Sequence, residues 1–250
     1  MAVVLLTRAK ADNAALAGML RDMQHGVVEL STVDIVRSLR PSDRTTFERN
    51  AATAACVAFT SRHAVVAVAA TGCLALIPER VPLAAVGDAT ASALQVAGRP
   101  ASLVAHPQTG TALAEMLAEV LPDAATVLCP RAAHARPELA EGLTRAGLRP
   151  VPIVCYRNVV PQRPSRATVD AALAADLVYL AAPSAGDRLY AWVPELVDRP
   201  WVAIGPTTAD AITARHGHAP VAVAQSPRIV DVCAAIDAVA HNLANPRSGT

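Results

Sequence analysis

Short runs of Val, Leu and Ala alternate along the chain with longer stretches in which apolar residues recur every three or four positions. The runs have the length of β-strands, and the longer stretches have the period of helices. The predicted strands are 3–6, 27–30, 56–60, 83–86, 102–105, 126–129, 151–155, 177–181, 201–204 and 221–224. Strands that alternate with helices predict an α/β fold in which parallel sheets carry helices on both faces.

Three of the predicted helices carry a clear apolar stripe. In the segment 11–23, apolar side chains recur at spacings of three and four, which places them on one helix face. The segments 111–121 and 137–146 repeat this pattern. Gly147 directly follows the last of them, as expected for a helix C-cap.

One sequence pattern occurs twice. Residues 83–91 (LAAVGDATA) and 201–209 (WVAIGPTTA) each contain an apolar run, a glycine, two further residues and Thr-Ala before a predicted helix. At nearly the same separation, roughly half the chain, Arg8 and Arg131 each follow a strand-like run. The repetition predicts a duplicated α/β unit, and two such lobes would enclose a cleft.

Hydroxyl side chains stand at predicted helix starts, namely at Thr60, Ser61, Thr90, Ser184, Thr207 and Thr208. In parallel sheets these junctions lie at the carboxyl ends of the strands, where ligands bind. A hydroxyl there either caps the free N–H groups of its helix or contacts a ligand, and both interpretations stay open. For Asp88 and Asp210 we favour capping. Gly87 and Gly205 have no side chain, so a ligand could reach their backbone.

Basic side chains add positive charge to the same sheet edge. Arg8 and Arg131 each follow a predicted strand, and Arg62 begins a predicted helix. These positions predict a locally positive cleft for a small polyanion. Tyr156 directly follows a predicted strand, where its phenol could donate a hydrogen bond into the cleft or only pack between the lobes.

The overall composition argues against nucleic-acid and membrane partners. The 250 residues carry 22 basic and 21 acidic side chains, a formal net charge of +1, and only 3% are aromatic. A nearly neutral chain with few aromatic side chains has neither the field nor the stacking platforms of a nucleic-acid-binding protein. The longest apolar stretch, 64–77, is shorter than the roughly 20 residues of a membrane span.

The cysteines and the N-terminus predict a cytoplasmic location. Five cysteines form an odd number without a Cys-x-x-Cys pair, which favours buried, reduced thiols. Met1 leads directly into a predicted strand without the basic region of a signal peptide. The alternating pair His216 and His218 lies in a predicted turn, where it is more typical of a solvated turn than of a metal site.

Taken together, several segments resemble the uroporphyrinogen-III synthase family over almost the whole chain. The similar segments are 4–8 (VLLTR), 59–65 (FTSRHAV), 85–91 (AVGDATA), Arg131 with the helix that leads to Gly147, 154–157 (VCYR) and 203–209 (AIGPTTA). No one of these motifs is specific, but their order and spacing together are.

The resemblance implies a particular α/β architecture. Two parallel-sheet lobes of three layers each, similar to flavodoxin, would be joined by a two-stranded β-ladder. The first lobe would be discontinuous and comprise 1–35 with 161–250, and the inserted lobe would comprise 36–160. Two segments rich in Pro, Ser and charge, 39–43 and 160–165, are the candidate crossings between the lobes.

The resemblance also implies a reaction. Members of the family close the linear tetrapyrrole hydroxymethylbilane to uroporphyrinogen III, with loss of water and inversion of ring D. The expectation is an enzyme that needs neither a metal nor an organic cofactor, because electrons of the pyrrole nitrogen expel the hydroxymethyl oxygen. The expected partners are hydroxymethylbilane, uroporphyrinogen III and, for a transient handover, hydroxymethylbilane synthase. The protein itself is expected to be a monomer.

By resemblance, Tyr156 is the candidate catalytic residue, since its phenol would assist the leaving hydroxyl. The candidate substrate-binding residues are Arg8, Thr60, Ser61, Arg62, Gly87, Thr90, Arg131, Ser184, Gly205, Pro206, Thr207 and Thr208. The chain departs from the family pattern at Ala181 and Ala182, where Thr and Ser are usual, and at Ala132, where glycine is frequent.

Two other functions remain open on the sequence. A two-lobed protein that closes on a small acid without catalysis would fit the paired lobes. A nucleotide-using enzyme fits less well, because the chain contains no Gly-x-Gly-x-x-Gly sequence after a strand and no P-loop.

Overall fold

Two separate sheets, built mainly of parallel strands, form the framework of the computed structural model, which describes residues 1–244. In chain order the strands are β1 (Val3–Leu6), β2 (Gly26–Glu29), β3 (Asp34–Arg37), β4 (Cys56–Phe59), β5 (Leu83–Ala85), β6 (Leu103–Val104), β7 (Thr126–Ala132), β8 (Arg149–Val159), β9 (Leu177–Leu180), β10 (Trp201–Ala203) and β11 (Ala222–Val223). The helices are α1 (Lys10–Asp22), α2 (Pro41–Ala51), α3 (Arg62–Ala70), α4 (Asp88–Val96), α5 (Gly110–Val120), α6 (Glu138–Arg145), α7 (Arg166–Leu173), α8 (Pro183–Trp192), α9 (Pro206–His216) and α10 (Ile229–Ala244).

The chain divides into two compact units. The first unit comprises Met1–Asp34 and the described part of Val159–Thr250, and the second comprises Ile35–Asn158. The first unit is therefore discontinuous in sequence, and the chain passes from one unit to the other twice.

The first unit is a five-stranded sheet in the order β11-β10-β9-β1-β2, with every adjacent pair parallel. Because side chains alternate along a strand, the side chains of β1 contribute to the cores on both faces of the sheet. Leu6 packs with α1 and α10 on one face, whereas Leu5 packs with α7, α8 and α9 on the other. The sheet is thus the middle of three layers.

The second unit is built in the same way around a six-stranded sheet in the order β3-β8-β7-β4-β5-β6. On one face Phe59 of β4 packs with residues of α2, α3 and α4. On the other face Ala58 packs with residues of α5 and α6. The predicted fold class, α/β with parallel sheets between helix layers, is therefore confirmed.

The segments that match in sequence also match in space. Read from one edge, the first sheet runs β2-β1-β9-β10-β11, and five strands of the second run β8-β7-β4-β5-β6. The pairs β1 and β7, β9 and β4, β10 and β5, and β11 and β6 therefore hold equivalent places. The two units share one spatial order but begin at different strands, which is the relation of a circular permutation.

Two details differ from the sequence predictions. The strand β3 was not predicted, and it pairs with β8 at the edge of the second sheet. The segment 39–43 is not a crossing, because Pro41 already begins α2, and the chain changes unit at Asp34 instead. Pro41 occupies the first helical turn, where its missing N–H costs nothing.

None of the helices in residues 1–244 is both long and apolar enough to cross a membrane.

Candidate active site

A cavity of about 540 Å³ opens in the second unit at the carboxyl ends of its strands. Thr60 and Ser61 line it from the end of β4, and Ala132 lines it from the end of β7. These two strands are neighbours whose following connections lead to opposite sides of the sheet. Ligands of doubly wound α/β sheets bind at such a switch point, so the cavity is the candidate active site.

Tyr156 reaches the cavity from β8. Its side chain is only 7% exposed, and its ring belongs to the core cluster that also contains Phe59. The ring of His63 lies 5.7 Å away, tilted by 55°. The phenol is therefore held by a buried residue of β8 at the cavity wall.

Ser61 caps the helix α3. Its hydroxyl oxygen accepts a hydrogen bond from the backbone N–H of His63 at 3.1 Å. The hydroxyl proton remains able to donate, so capping and ligand contact are compatible at this position. Arg62, the next residue, begins α3 and does not line the cavity.

The two copies of the repeated glycine have different surroundings. A Cβ built on Gly87 would overlap the side chain of Gln108, whose Nε2 donates to Asp88 Oδ2 at 2.8 Å. A Cβ built on Gly205 would meet nothing within 4 Å. The backbone at the start of α9 is therefore open, whereas the start of α4 is covered by Gln108.

The threonines that follow these glycines are buried in the first turns of their helices. Thr90 is 3% exposed and Thr208 is 5% exposed. Thr207 and Pro206 beside them are exposed. Within the first turn of α9, the exposed residues next to open backbone are thus Pro206 and Thr207.

Arg131 does not point its charge into the cavity. Its Nη2 donates to the carbonyl oxygen of Ala135 at 2.8 Å, and its Nε donates to that of Ala132 at 3.4 Å. Beside it lies a void of only about 20 Å³. The guanidinium thus braces the loop that follows β7.

The same loop brings charged side chains to the cavity that the sequence analysis missed. Arg136 and His134 line it, and so does the carboxylate residue Glu138 at the start of α6. Gln108 and Thr109, from the turn before α5, complete this side. One feature of the sequence could have indicated these residues, because the segment 131–138 connects a strand end to a helix start. The sequence analysis selected only Arg131, the first residue of that segment.

In the first unit, Arg8 lies at the carboxyl end of the sheet next to the switch point between β1 and β9. Its Nη2 is 3.8 Å from Asp12 Oδ2. Burial raises the pKa of Tyr179 on β9 to about 12, and the positive charge of Arg8 opposes this rise. Asn13 donates hydrogen bonds to Arg8 O and Glu29 Oε2, both at 3.1 Å, which fixes the turn that presents Arg8.

Ser184 is exposed at the second position of α8. The N-cap of that helix is Ala182, which offers no side-chain oxygen to the free N–H groups. The departure from the family pattern at Ala181 and Ala182 therefore leaves this helix start without a side-chain cap.

The predicted site residues thus divide between the units. The cavity of the second unit brings together Thr60, Ser61 and Tyr156. The other candidates belong to the first unit. Arg8 follows β1, Ser184 lies in the first turn of α8, and the segment from Gly205 to Thr208 forms the start of α9. All five cysteines are buried and free, as predicted. Within residues 1–244, no three His, Cys, Asp or Glu side chains are grouped so that they could hold a metal ion.

Comparison with known proteins gives a family and a fold. The family model described as Uroporphyrinogen-III synthase HemD matches residues 14–233. The structure of uroporphyrinogen-III synthetase from Helicobacter pylori is similar, with a TM-score of 0.67 and 18% identity over 96% of this chain and 100% of that one. A mutant uroporphyrinogen III synthase from the extremely thermophilic bacterium Thermus thermophilus is similar with a TM-score of 0.60, again at 18% identity, over 96% and 100% of the two chains.

No curated protein sequence matches the chain. At 18% identity the two structures establish the fold, and the family model, which covers most of the chain, establishes the relationship. The chain therefore belongs to the uroporphyrinogen-III synthase family, and it is a lyase of tetrapyrrole biosynthesis that cyclises hydroxymethylbilane.

Proposed function

We propose that the cavity of the second unit receives the reacting end of hydroxymethylbilane and that Tyr156 hydrogen-bonds to the hydroxyl that leaves. The observation that carries this proposal is the position of Tyr156, a buried residue of β8 that lines a cavity of about 540 Å³ together with Thr60 and Ser61. A phenol is a donor of the required kind, since it can give a hydrogen bond or a proton at neutral pH.

Departure of the hydroxyl needs little assistance from the protein. The lone pair of the ring nitrogen forms a C=N bond while the C–O bond breaks, and the oxygen leaves as water after it takes a proton from Tyr156. The substituted carbon of ring D then attacks the azafulvenium carbon. The spiro intermediate so formed reopens, and the inverted ring closes. Tyr156 recovers its proton when the last pyrrole regains its aromaticity.

The main task left to the protein is to hold the substrate in the shape that leads to inversion, because the unassisted substrate closes to the symmetric type I isomer. Hydroxyls and backbone N–H groups at helix starts would hold the carboxylates. In the second unit these are the hydroxyls of Thr60 and Ser61, which line the cavity. In the first unit they are the exposed Ser184 and the start of α9, where Pro206 and Thr207 are exposed and the backbone of Gly205 is open. Arg8 would add positive charge in the first unit, and no metal or organic cofactor is required.

Analysis of the product isomers tests this proposal. Hydroxymethylbilane supplied by a hydroxymethylbilane synthase would be incubated with the protein, and the porphyrins obtained by oxidation would be separated. We expect mainly the type III isomer, whereas the reaction without this protein gives type I. Type I alone would overturn the proposal, and tight binding of the bilane without turnover would favour a binding protein.

We also propose that the protein acts as a cytoplasmic monomer that accepts its unstable substrate directly from hydroxymethylbilane synthase. The odd number of buried, free cysteines supports a reducing compartment. Sedimentation of the protein alone and with the synthase tests both statements. A single species at the mass of one chain is expected alone, and a weak, salt-sensitive complex is expected in the mixture.

A further inference from the structure

We infer that Arg136 is the residue that presents positive charge to a substrate carboxylate in the second unit, and that Arg131 is a positioning residue that holds the loop carrying Arg136. This inference rests on the proposed placement of the substrate in the cavity. The sequence analysis assigned the binding role to Arg131, whereas this inference assigns it to Arg136.

The hydrogen bonds of Arg131 account for its role. Nε and Nη2 form the side-on fork with which a guanidinium grips a carboxylate. In Arg131 both atoms donate to backbone carbonyls of the loop, at Ala132 and Ala135. Its neighbouring void of about 20 Å³ has space for little more than a water molecule. Arg131 therefore uses both donor atoms to stabilise the conformation of the loop.

Arg136 borders the same small void but differs from Arg131 in its contacts. It is exposed and lines the cavity, and it forms no hydrogen bond or ion pair with any other residue between 1 and 244. Its full set of N–H donors is available to a ligand. Since Ala135, which accepts from Arg131, directly precedes it, the hydrogen bond at 2.8 Å fixes the backbone from which Arg136 extends.

Two helix starts add to the positive potential. Thr109 caps α5 by accepting from Ala112 N–H at 3.1 Å, and the helix begins at Gly110. A Cβ on Gly110 would lie 3.2 Å from the backbone nitrogen of Leu139, in the first turn of α6. The N-termini of α5 and α6 therefore meet at the cavity, and each contributes partial positive charge there.

Glu138 opposes this potential. It lines the same cavity from the first position of α6, and it forms no ion pair with another described residue. Arg136 and Glu138 therefore act in opposite directions on substrate affinity, which provides an internal control.

The experiment compares steady-state kinetics of six variants, including Tyr156→Phe, on hydroxymethylbilane at several salt concentrations. We expect Arg136→Gln to raise KM about 10-fold, at the low end for a charge-assisted hydrogen bond at an exposed site, with kcat within about twofold of the wild type. Arg136→Lys should recover most of the affinity because it keeps the charge. Glu138→Gln should lower KM severalfold.

Arg131→Lys should not recover what Arg131→Gln loses, because one ammonium cannot donate to both carbonyls in the planar geometry of the guanidinium. Both Arg131 variants should still show the salt dependence of KM, whereas Arg136→Gln should lose part of it. We therefore expect lysine to restore affinity at position 136 and to fail at position 131. A general loss of folding would not produce this difference between the two positions.

The same data separate this inference from the proposed function. Wild-type KM and salt dependence in Arg136→Gln, together with impaired turnover in Tyr156→Phe, would overturn the role of Arg136 and leave the cavity as the active site. Unchanged kinetics in both variants would overturn the placement of the substrate in the cavity, while the isomer analysis would still report the reaction.

Discussion

At the scale of single residues, two tyrosines of equal burial differ in their surroundings. Tyr156 and Tyr190 are each 7% exposed. Tyr190 lies in the core of the first unit with its ring 4.9 Å from that of His216, and burial raises its pKa to about 12. Tyr156 lines the cavity. The pair allows the effect of a phenol at the site to be separated from the effect of removing a buried hydroxyl.

We expect Tyr156→Phe to lower kcat by roughly 10- to 100-fold, the low end for a positioned proton donor. The loss should be modest because the substrate expels its own leaving group. Tyr190→Phe should keep turnover close to that of the wild type. Single-turnover measurements with freshly generated hydroxymethylbilane would give both rates, and a wild-type rate in Tyr156→Phe would remove this residue from the mechanism.

Both Tyr156 and Arg136 line the cavity, but the sequence analysis selected only Tyr156 as a candidate, and the reason is physical. The predicted strand 151–155 ends just before Tyr156, and in the structure β8 continues through Tyr156 to Val159. The position of Tyr156 therefore follows from the strand itself, which the hydrophobic pattern reveals. The position of Arg136 depends on how the loop after β7 folds, and that fold depends on the hydrogen bonds of Arg131 to backbone carbonyls. Hydrogen bonds of this kind leave no periodic signal in a sequence.

At the scale of elements, the contact between α5 and α6 determines the geometry of one side of the cavity. Gly142 of α6 faces Ala114 of α5, and a Cβ on Gly142 would lie 2.6 Å from the Cβ of Ala114. Leu113 and Leu143, beside these small residues, are completely buried. The absence of a side chain at Gly142 therefore allows the two helices to approach closely.

A matched pair of glycine substitutions tests this contact. Gly142→Ala should destabilise the protein by about 1 to 3 kcal/mol, because the added methyl group forces the helices apart. Gly18 also lies within a helix, α1, but a Cβ there would meet nothing within 4 Å. Gly18→Ala should therefore stabilise by about 0.5 to 1 kcal/mol through the higher helix propensity of alanine. Chemical denaturation of both variants gives these values, and equal signs would contradict the close packing of α5 against α6.

Elements with a buried face were predicted well, and elements at the margins were not. All four residues of β4 are buried, and its predicted segment 56–60 differs from Cys56–Phe59 by one residue. In β3 only Ile35 is partly buried, so the strand has no alternation of buried and exposed residues that a sequence pattern could reveal. The Pro, Ser and Asp of 41–43 are typical of linkers and of helix starts alike, and here they begin α2.

At the scale of the whole molecule, the permuted strand order explains why the sequence repeat does not mark the unit boundaries. The chain of the first unit begins at β1, the equivalent of β7, and leaves after β2. The second unit begins at β3 and β4 and reaches its own equivalent of β1 only at β7. The half-chain repeat is therefore compatible with the division into two units, one of which is discontinuous in sequence.

This organisation predicts that the two units differ in their ability to fold from one continuous piece of chain. The segment Ile35–Asn158 contains a complete six-stranded sheet and both of its core clusters. We expect it to fold alone with a cooperative thermal transition, since a chain of this length can bury a sufficient core.

The segment 159–250 alone lacks β1 and β2, and with them Leu5 and Leu6, which are completely buried. It should show no cooperative transition by circular dichroism or calorimetry, and adding a peptide of residues 1–34 should restore one because β1 supplies the missing partner of β9. Cooperative unfolding of 159–250 without that peptide, or its absence in Ile35–Asn158, would contradict the assignment of each core to its own unit.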